Sequence, residues 1–334
     1  RIDLNMTQVS DMGTVWNLPN YAGELFCADA MQTPLLAMIG GLSGGRQTSN
    51  FEFPTAVLFD YPEAVQPAIS EEAAAVAPQA TMAARSQESN VVQIHQEVIN
   101  LTYAKQSNSG RMQGLNTALP EQDALAEERA FQVQHKLIKI ARDVEHSFIN
   151  GKFQRATDSS VANKTRGLLE LCSGGTTLDA KGAKLSRAML QQIFREMADN
   201  GAYFSNMVMF LPAYQKQALS ELFSQQLAGS AVYLPSQRNV GGVNISELET
   251  DFCRLGVCWN RFMPADSILI VDVAHVAPVF QAVPGKGVLF EEELATTGAA
   301  DKIQLYGQIG LAHGPAFLHA SITGLDSGAG TVQD

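Results

Sequence analysis

Residues 40–45 read Gly-Gly-Leu-Ser-Gly-Gly after an apolar run, which is how a phosphate-binding loop begins. Such a loop closes on Lys followed by Ser or Thr, which reach the phosphates and Mg²⁺. Arg46 and Gln47 stand in those places, so a flexible turn is expected instead. Among the six histidines, His313 and His319 are six apart, which suits neither an i, i+4 helical pair nor a zinc-finger pattern. His135 and His146 fall among charges on a predicted helix, where solvated or interface roles are expected. Cys253 and Cys258 flank a short predicted turn without partner ligands and read as two small buried residues. Asp266 and Asp272 border an apolar run, where capping of a strand end is the simpler role and a catalytic carboxylate the alternative. No G-x-S-x-G, H-E-x-x-H or G-x-G-x-x-G occurs. The Asn-x-Ser/Thr matches at Asn5, Asn100, Asn163 and Asn244 read as chance without a secretory signal. The expectation is therefore no catalytic residue, no metal and no cofactor.

Composition narrows the classes further. The chain has 334 residues, 46% hydrophobic and 17% charged. That charge fraction lies below the roughly 25% of an average soluble domain, which hints at surface covered by other protein. The net charge of −11 is uneven: residues 1–104 hold 3 basic and 11 acidic residues (−8), and the remainder carries −3. No basic stripe is present, so neither a DNA backbone nor an anionic membrane is an expected ligand. Four cysteines make no disulfide framework, and a reducing compartment is the default. The longest apolar run, Ile268–Phe280, is interrupted by Asp272 and His275 and is too short to span a bilayer.

The elements that would position such residues are unusual. Residues 1–50 lack steady periodicity and read as an extended arm with one short helix near Tyr21–Ala30. Phe51–Phe53, Val57–Phe59 and Val91–Tyr103 are strand-like, separated by an Ala-, Pro-, Ser-, Gln- and Glu-rich stretch from Pro62 to Asn90. This predicts a long two-stranded hairpin with a soft acidic tip, and an isolated hairpin is marginal in water. From Pro120 to Asn150 apolar residues recur at Ala126, Ala130, Val133, Leu137, Ile140/Ala141, Val144 and Phe148, the spacing of one helical face. Asn150-Gly151 supplies the stop. Residues 166–285 alternate predicted helices (Leu185–Asn200, Pro212–Gln226) with strands (Asn206–Leu211, Val243–Leu248, Gly256–Phe262, Ser267–Ala274) around a Gly/Pro/Ser/Asn loop at 228–243. Strands at Gly287–Phe290 and Lys302–Thr323 follow, and Gly307, Gly310 and Gly314 mark bulges or close backbone contacts there. An arm and a hairpin without a core do not close into a monomeric globule, and copies of the same chain are their simplest partners.

The order of these elements, and several short motifs, resemble the major capsid proteins of tailed bacteriophages with the Hong Kong 97-type fold. The motifs are Asn20–Phe26 and Thr33–Leu42 in the arm, Gln93–Glu97 with Tyr103–Gln106 in the returning strand, and Ile140–Glu145 with Phe148–Gly151 in the helix. Thr165–Gly167 downstream of the helix and Gly298–Leu311 near the end complete them.

The resemblance implies an α+β fold with an N-terminal arm (1–50), an E-loop (51–117) and the spine helix of a peripheral P-domain (118–165). An axial A-domain of mixed α/β structure (166–285), further P-domain strands (286–325) and a tail (326–334) would follow. It implies hexamers and pentamers of the chain, closing an icosahedral head assembled in the host cytoplasm around double-stranded DNA that is enclosed without sequence-specific binding. A cementing or decoration protein, a scaffold and a portal are implied partners, and a membrane is not. Arg1 at the start would fit maturation cleavage or an absent initiator Met. Interface candidates are the acidic loop residues Glu63, Glu71 and Glu72 with Arg85, opposed by Lys136, Lys139, Arg142, Lys152 and Arg155 on a neighbouring P-domain. Gln237, Arg238 and Asn239, in the 228–243 loop, would lie nearest the symmetry axis. The best-known member of this fold cross-links its shell through an E-loop Lys, and here no Lys precedes Lys105. Boiling in detergent is thus expected to release monomers, and a ladder of covalent multimers on a denaturing gel would contradict it. The competing expectations are an encapsulin-type nanocompartment of the same fold and a cytosolic α/β enzyme centred on residues 166–285.

Overall fold

The computed structural model describes residues 32–107, 122–227 and 246–328. The expected helix near Tyr21–Ala30 and the 228–243 loop, with Gln237, Arg238 and Asn239, lie outside them. The described arm begins with a short helix the sequence reading did not anticipate, α1 (Pro34–Met38), which opens on Pro, the residue best suited to a first turn. The Gly40–Gly45 segment is a turn that leads into β1 (Arg46–Thr48).

The hairpin pairs β2 (Glu52–Phe59) with β3 (Arg85–Val91), antiparallel from Glu52↔Val91 to Phe59↔Arg85. Its tip carries one turn of helix, α2 (Glu71–Ala74), with Ser70 Oγ accepting the Ala73 N–H at 3.1 Å. The returning strand differs from expectation. Residues 85–91 close the hairpin, whereas β4 (Gln93–Thr102) leaves it and joins a separate sheet. Arg85–Ser89 show no apolar alternation because neither face of that part of β3 is buried. After β4 and a turn of helix, α3 (Tyr103–Ser107), the spine helix α4 runs from Gln122 to Asn150, about 44 Å at 1.5 Å per residue. Its expected stripe is buried from Ile140 through Val144 to Phe148, with Val133 and Leu137 partly covered; Ala130 is exposed.

Beyond α4 come α5 (Leu168–Ser173), β5 (Thr176–Asp179), α6 (Arg187–Asp199), β6 (Met207–Leu211) and α7 (Ala213–Leu227). The described chain then runs through β7 (Glu247–Glu249), β8 (Arg254–Trp259), β9 (Ile268–Asp272), β10 (Ala277–Gln281), β11 (Leu289–Leu294), β12 (Ala300–Ala312) and β13 (Ala320–Thr323). Two sheets result. One is ordered β5-β13-β9-β6-β8-β7. In the other, β12 is the hub: β10 and β11 pair with it along one stretch each, β4 along 300–309, and β1 adds to β10 in parallel.

Two strands join a sheet other than that of their neighbours in sequence. Ala277–Gln281 pairs with β12 rather than with the strands of 166–285, and Ala320–Thr323 pairs with β9 and β5 rather than with β12. Both strands are short and apolar, and nothing in such a run states which sheet edge it will meet.

The six-stranded sheet divides the interior. Successive strand residues face opposite ways, so Met207, Met209 and Leu211 of β6 pack with Ile268 and Ile270 of β9 against α6, while Val208, Phe210, Leu269 and Val271 pack against α4, α5 and β12. Burial on both faces explains why β6 and β9 are continuous apolar runs. Three close contacts tie the pieces around α4 and β12. The exit of the helix is cramped: Gly167 N–H donates to Gly151 O at 3.0 Å, and a Cβ on Gly167 would lie 2.5 Å from Gly151 N. On β12, a Cβ on Gly310 would lie 2.7 Å from Val91 O, so the hairpin can seat on β12 only over a glycine. The third contact is Glu145, described below.

Candidate assembly surface

The hairpin root is anchored by polar side chains beside a small buried cluster of Phe53, Val92, Val279 and Ala312. Asn90 is fully buried at its root, donating to Leu311 O at 2.8 Å and Arg166 O at 3.3 Å and accepting from Arg166 N–H at 2.8 Å. Gln93, two residues past the hairpin, accepts the Thr165 N–H at 3.1 Å and donates to Ser147 Oγ at 3.1 Å. Leu311 N–H donates to Thr165 Oγ1 at 3.1 Å, which closes a ring of contacts between hairpin, spine helix and β12. Each buried amide here would cost roughly 1–3 kcal/mol if left unpaired, so the root is fixed.

Beyond the root the hairpin stands free. Every residue from Phe59 to Gln87 is exposed, and Tyr61, Val65, Ile69, Val76 and Met82 are between 69% and 96% accessible. Glu63, Glu71, Glu72 and Arg85 lie in this exposed stretch. Glu71 and Glu72 sit in the first turn of α2, where a carboxylate suits the helix dipole. Large apolar groups are rarely left together on a monomer's surface unless a partner covers them.

The basic candidates are not all free to meet such a partner. Lys136 Nζ lies 2.8 Å from Glu97 of β4, and Lys139 Nζ lies 2.5 Å from Asp143 and 3.7 Å from Glu97. Burial alone would raise the Glu97 carboxyl, but its hydrogen bond and charge contacts with Lys136 and Lys139 leave it below the usual value. The hydrogen bond to Asp143 outweighs burial and raises Lys139. Arg155 holds Glu52 at the hairpin root at 2.8 Å and covers the Phe51 ring at 5.8 Å. These three cations therefore serve their own chain, because folding brings β4 and the root carboxylate beside them. Lys152 is exposed, and Arg142 is half-buried with its Nε unpartnered.

Sequence reasoning passed over the strongest tie in this region. Glu145 of α4 is fully buried and accepts from Leu35 N–H at 2.9 Å, Leu36 N–H at 2.7 Å and Asn260 Nδ2 at 2.7 Å. One carboxylate thus holds the arm helix, the spine helix and the loop after β8 together. Burial raises its pKa, and the two backbone donors and the Asn260 amide only partly offset that rise.

Three histidines are buried without an ionised partner in contact. His319 Nε2 donates to His313 O at 2.6 Å and its Nδ1 accepts from Asp272 N–H at 3.1 Å; His313 Nδ1 lies 2.7 Å from Gly314 O. His95 faces α4 from β4, with its Nε2 unpartnered. Burial pushes all three down to about 4. The unfolded chain binds these protons near pH 6.5, whereas the folded chain resists until about 4. Their contribution is thus complete above pH 6.5 and is lost as pH falls toward 4, each group shifting the folding equilibrium by up to about tenfold per pH unit. Urea midpoints should fall steeply from pH 6.5 to 4.5, and midpoints that stay flat over that range would contradict these burials.

The sequence profile of the SU10 major capsid protein family matches residues 8–326. No curated protein matches the chain. Among solved structures, the cyanophage A-1(L) capsid asymmetric unit is similar with a TM-score of 0.63 at 9% identity, covering 92% of this chain and 97% of that one. The capsid of cyanophage P-SCSP1u gives 0.53 at 10% identity, covering 92% of each chain. The holo-SrpI encapsulin complex of Synechococcus elongatus gives 0.52 at 10% identity, covering 93% and 96%. At these identities the likeness is one of fold, and the fold is the Hong Kong 97-type α+β capsid fold. With the profile matched over nearly its whole length, the chain belongs to the SU10 major capsid protein family, a structural protein of the virion's capsid shell.

Proposed function

We propose that copies of this chain form hexamers and pentamers that close an icosahedral head around double-stranded phage DNA, assembled in the host cytoplasm. Residues 32–50 act as the arm and the β2–β3 hairpin as the E-loop. The spine helix and the β12-centred sheet form the P-domain, and the six-stranded sheet with α6 and α7 forms the A-domain. The observation that carries this reading is the free hairpin, whose exposed apolar groups lie on an element with no core beneath them. A neighbouring subunit supplies the missing surface. The role is structural, and no catalytic step is part of the proposal. A cementing protein, a scaffold and a portal are its expected companions.

Charge sets the approach of the loop. Asp60, Glu63, Glu71 and Glu72 give residues 60–84 a net −4 without a single Lys or Arg. Of the six cations in residues 129–155, Arg129, Lys136, Lys139 and Arg155 are paired with carboxylates of their own chain, which leaves Arg142 and Lys152 for the loop of a neighbour to approach. Converting Glu63, Glu71 and Glu72 to Lys should slow assembly at low salt by about tenfold or more, in the range that electrostatic steering contributes. Assembly of that variant at the parent rate in low salt would remove steering from the account. The encapsulin likeness supports a second reading, a nanocompartment; purified particles containing a cargo enzyme rather than DNA would favour it.

A further inference from the structure

Two adjacent crossovers carry the chain between its sheets. The first runs from β9 through the turn Val273–His275 into β10, and the second from β12 through His313, Gly314 and the turn Ala316–Leu318 into β13. They lie against each other: Gly314 has φ +67°, and a Cβ there would stand 3.3 Å from His275 O. The side chain of His319 joins them. Its Nδ1 accepts the Asp272 N–H at 3.1 Å, and its Nε2 donates to His313 O at 2.6 Å. A carbonyl only accepts and an amide N–H only donates, so the two bonds together require the neutral ring with its proton on Nε2. Asp272, His313 and His319 are fully buried, so a bond lost here costs the desolvation of the group left behind.

The same knot holds a strained segment. The Asp272 carboxylate accepts from Ser205 N–H at 3.1 Å, Asn206 N–H at 3.1 Å and Ala274 N–H at 3.2 Å. Phe204, next to that grip, has φ +50°, a left-handed conformation that a bulky residue keeps only where its surroundings impose it. Tyr203 lies edge-on to His275 at 5.8 Å and to Phe317 at 5.9 Å, one ring on each crossover. Asp272 thus ties the strained segment to the first crossover, and His319 ties the first crossover to the second.

We infer that His319 is a proton-sensitive pin: neutral, it locks the two crossovers together, and a proton taken up from solvent at Nδ1 turns that atom into a donor, breaks its bond to Asp272 N–H and frees them. The groups facing the ring set where this happens. Burial is the largest influence and opposes the proton; the bond to His313 O and the Asp272 carboxylate favour it, and His275 opposes it. His313, the neighbouring ring on the second crossover, is itself held neutral by burial, with Arg166 and His319 opposing its charge. The His319 ring accordingly stays neutral down to about 4, against the ordinary 6.5. A released ring binds its proton at the ordinary value. The pin is therefore at full strength above pH 6.5 and weakens as pH falls toward 4, by up to about tenfold per unit.

Hydrogen exchange of the full chain as free subunits, read by mass spectrometry at pH 7 and pH 4.5 and corrected for intrinsic amide rates, tests the pin. Amides of residues 272–277 and 314–320 should lose protection by about 50-fold at pH 4.5, while those of β6 and Ile268–Val271 keep theirs. His319→Asn offers an oxygen near the place of Nδ1, His319→Gln offers its amide nearer Nε2, and neither titrates. In whichever of them folds, the crossovers should be less protected than in the parent at pH 7, and the change with pH should shrink below about fivefold. A 50-fold change that survives in a folded variant would overturn the inference. So would crossovers that open only together with β6 and β9, an outcome the parent alone reveals even where neither variant folds. Free subunits suffice throughout, so the result stands apart from the shell reading.

Discussion

Replacing residues 60–84 by an Asn-Gly turn abolishes shell formation and leaves the subunit folded. Phe59 and Arg85 are directly opposed in the β2–β3 ladder, so two residues in a type I′ turn can close the shortened hairpin without changing its register. The excised tip makes no contribution to either interior cluster, and all of its residues are exposed. Thermal unfolding should therefore stay within a few degrees of the parent, the range of roughly 1 kcal/mol changes. Assembly has no such reserve, because the deletion removes the −4 charge and five exposed apolar side chains together. Light scattering should report only free subunits or small oligomers. Shells of normal size from this variant would mean that the loop is not the element that joins subunits.

Glu145→Ala is the second large effect, and it acts on folding rather than on assembly. The substitution leaves Leu35 N–H, Leu36 N–H and Asn260 Nδ2 buried without acceptors. Removing one member of such a buried charged network costs about 3–5 kcal/mol, a large part of the roughly 5–15 kcal/mol that holds a typical domain. The arm should detach first, since α1 is held to the spine by these bonds and by Leu35 and Leu36 packing on the core. Glu145→Gln keeps one carbonyl oxygen and turns an N–H₂ toward a backbone donor, so it should fall between parent and Ala. The pH response separates the two roles of this carboxyl. Its folded pKa lies above the unfolded value, so its contribution is present at low pH and declines as pH rises through the folded pKa. Gln cannot titrate, and that decline should vanish in Glu145→Gln while the histidine-driven loss below pH 6.5 remains. Urea unfolding of both variants at pH 7 and pH 5 checks both statements; equal midpoints for parent and Ala would remove Glu145 from the account.

Those elements whose burial imprinted a period were legible in the sequence. The stripe Ile140–Val144–Phe148 and the runs Met207–Leu211 and Ile268–Asp272 are apolar because each faces one core or two. The outer part of β3, Arg85–Ser89, was not legible, because a hairpin limb without a buried face has no alternation to read. The assembly surface divides in the same way. The acidic, apolar-studded tip is visible in composition, but the occupation of Lys136, Lys139 and Arg155 by Glu97, Asp143 and Glu52 depends on which strand returns beside α4. Glu145 is hidden by its neighbours: set among Arg142, Asp143 and His146, it looks solvated. Its helical position did carry a signal, being four residues after Ala141 and three before Phe148, on the flank of the apolar face. Asn90 and Gln93 carried none, since an amide that serves as a backbone anchor has the same composition as one in solvent. The capsid role itself came from motif order and the family match, and neither charge nor periodicity alone would have supplied it.

The central claim is that this chain is built to cover itself with copies of itself. Negative-stain electron microscopy with light scattering on one purified sample tests it most directly. Closed shells, or capsomers the size of hexamers and pentamers, are expected, with residues 60–84 resistant to protease only in the assembled form. A monodisperse particle of 36.0 kDa whose loop is already protected from protease would contradict it, because the exposed tip would then be covered by its own chain.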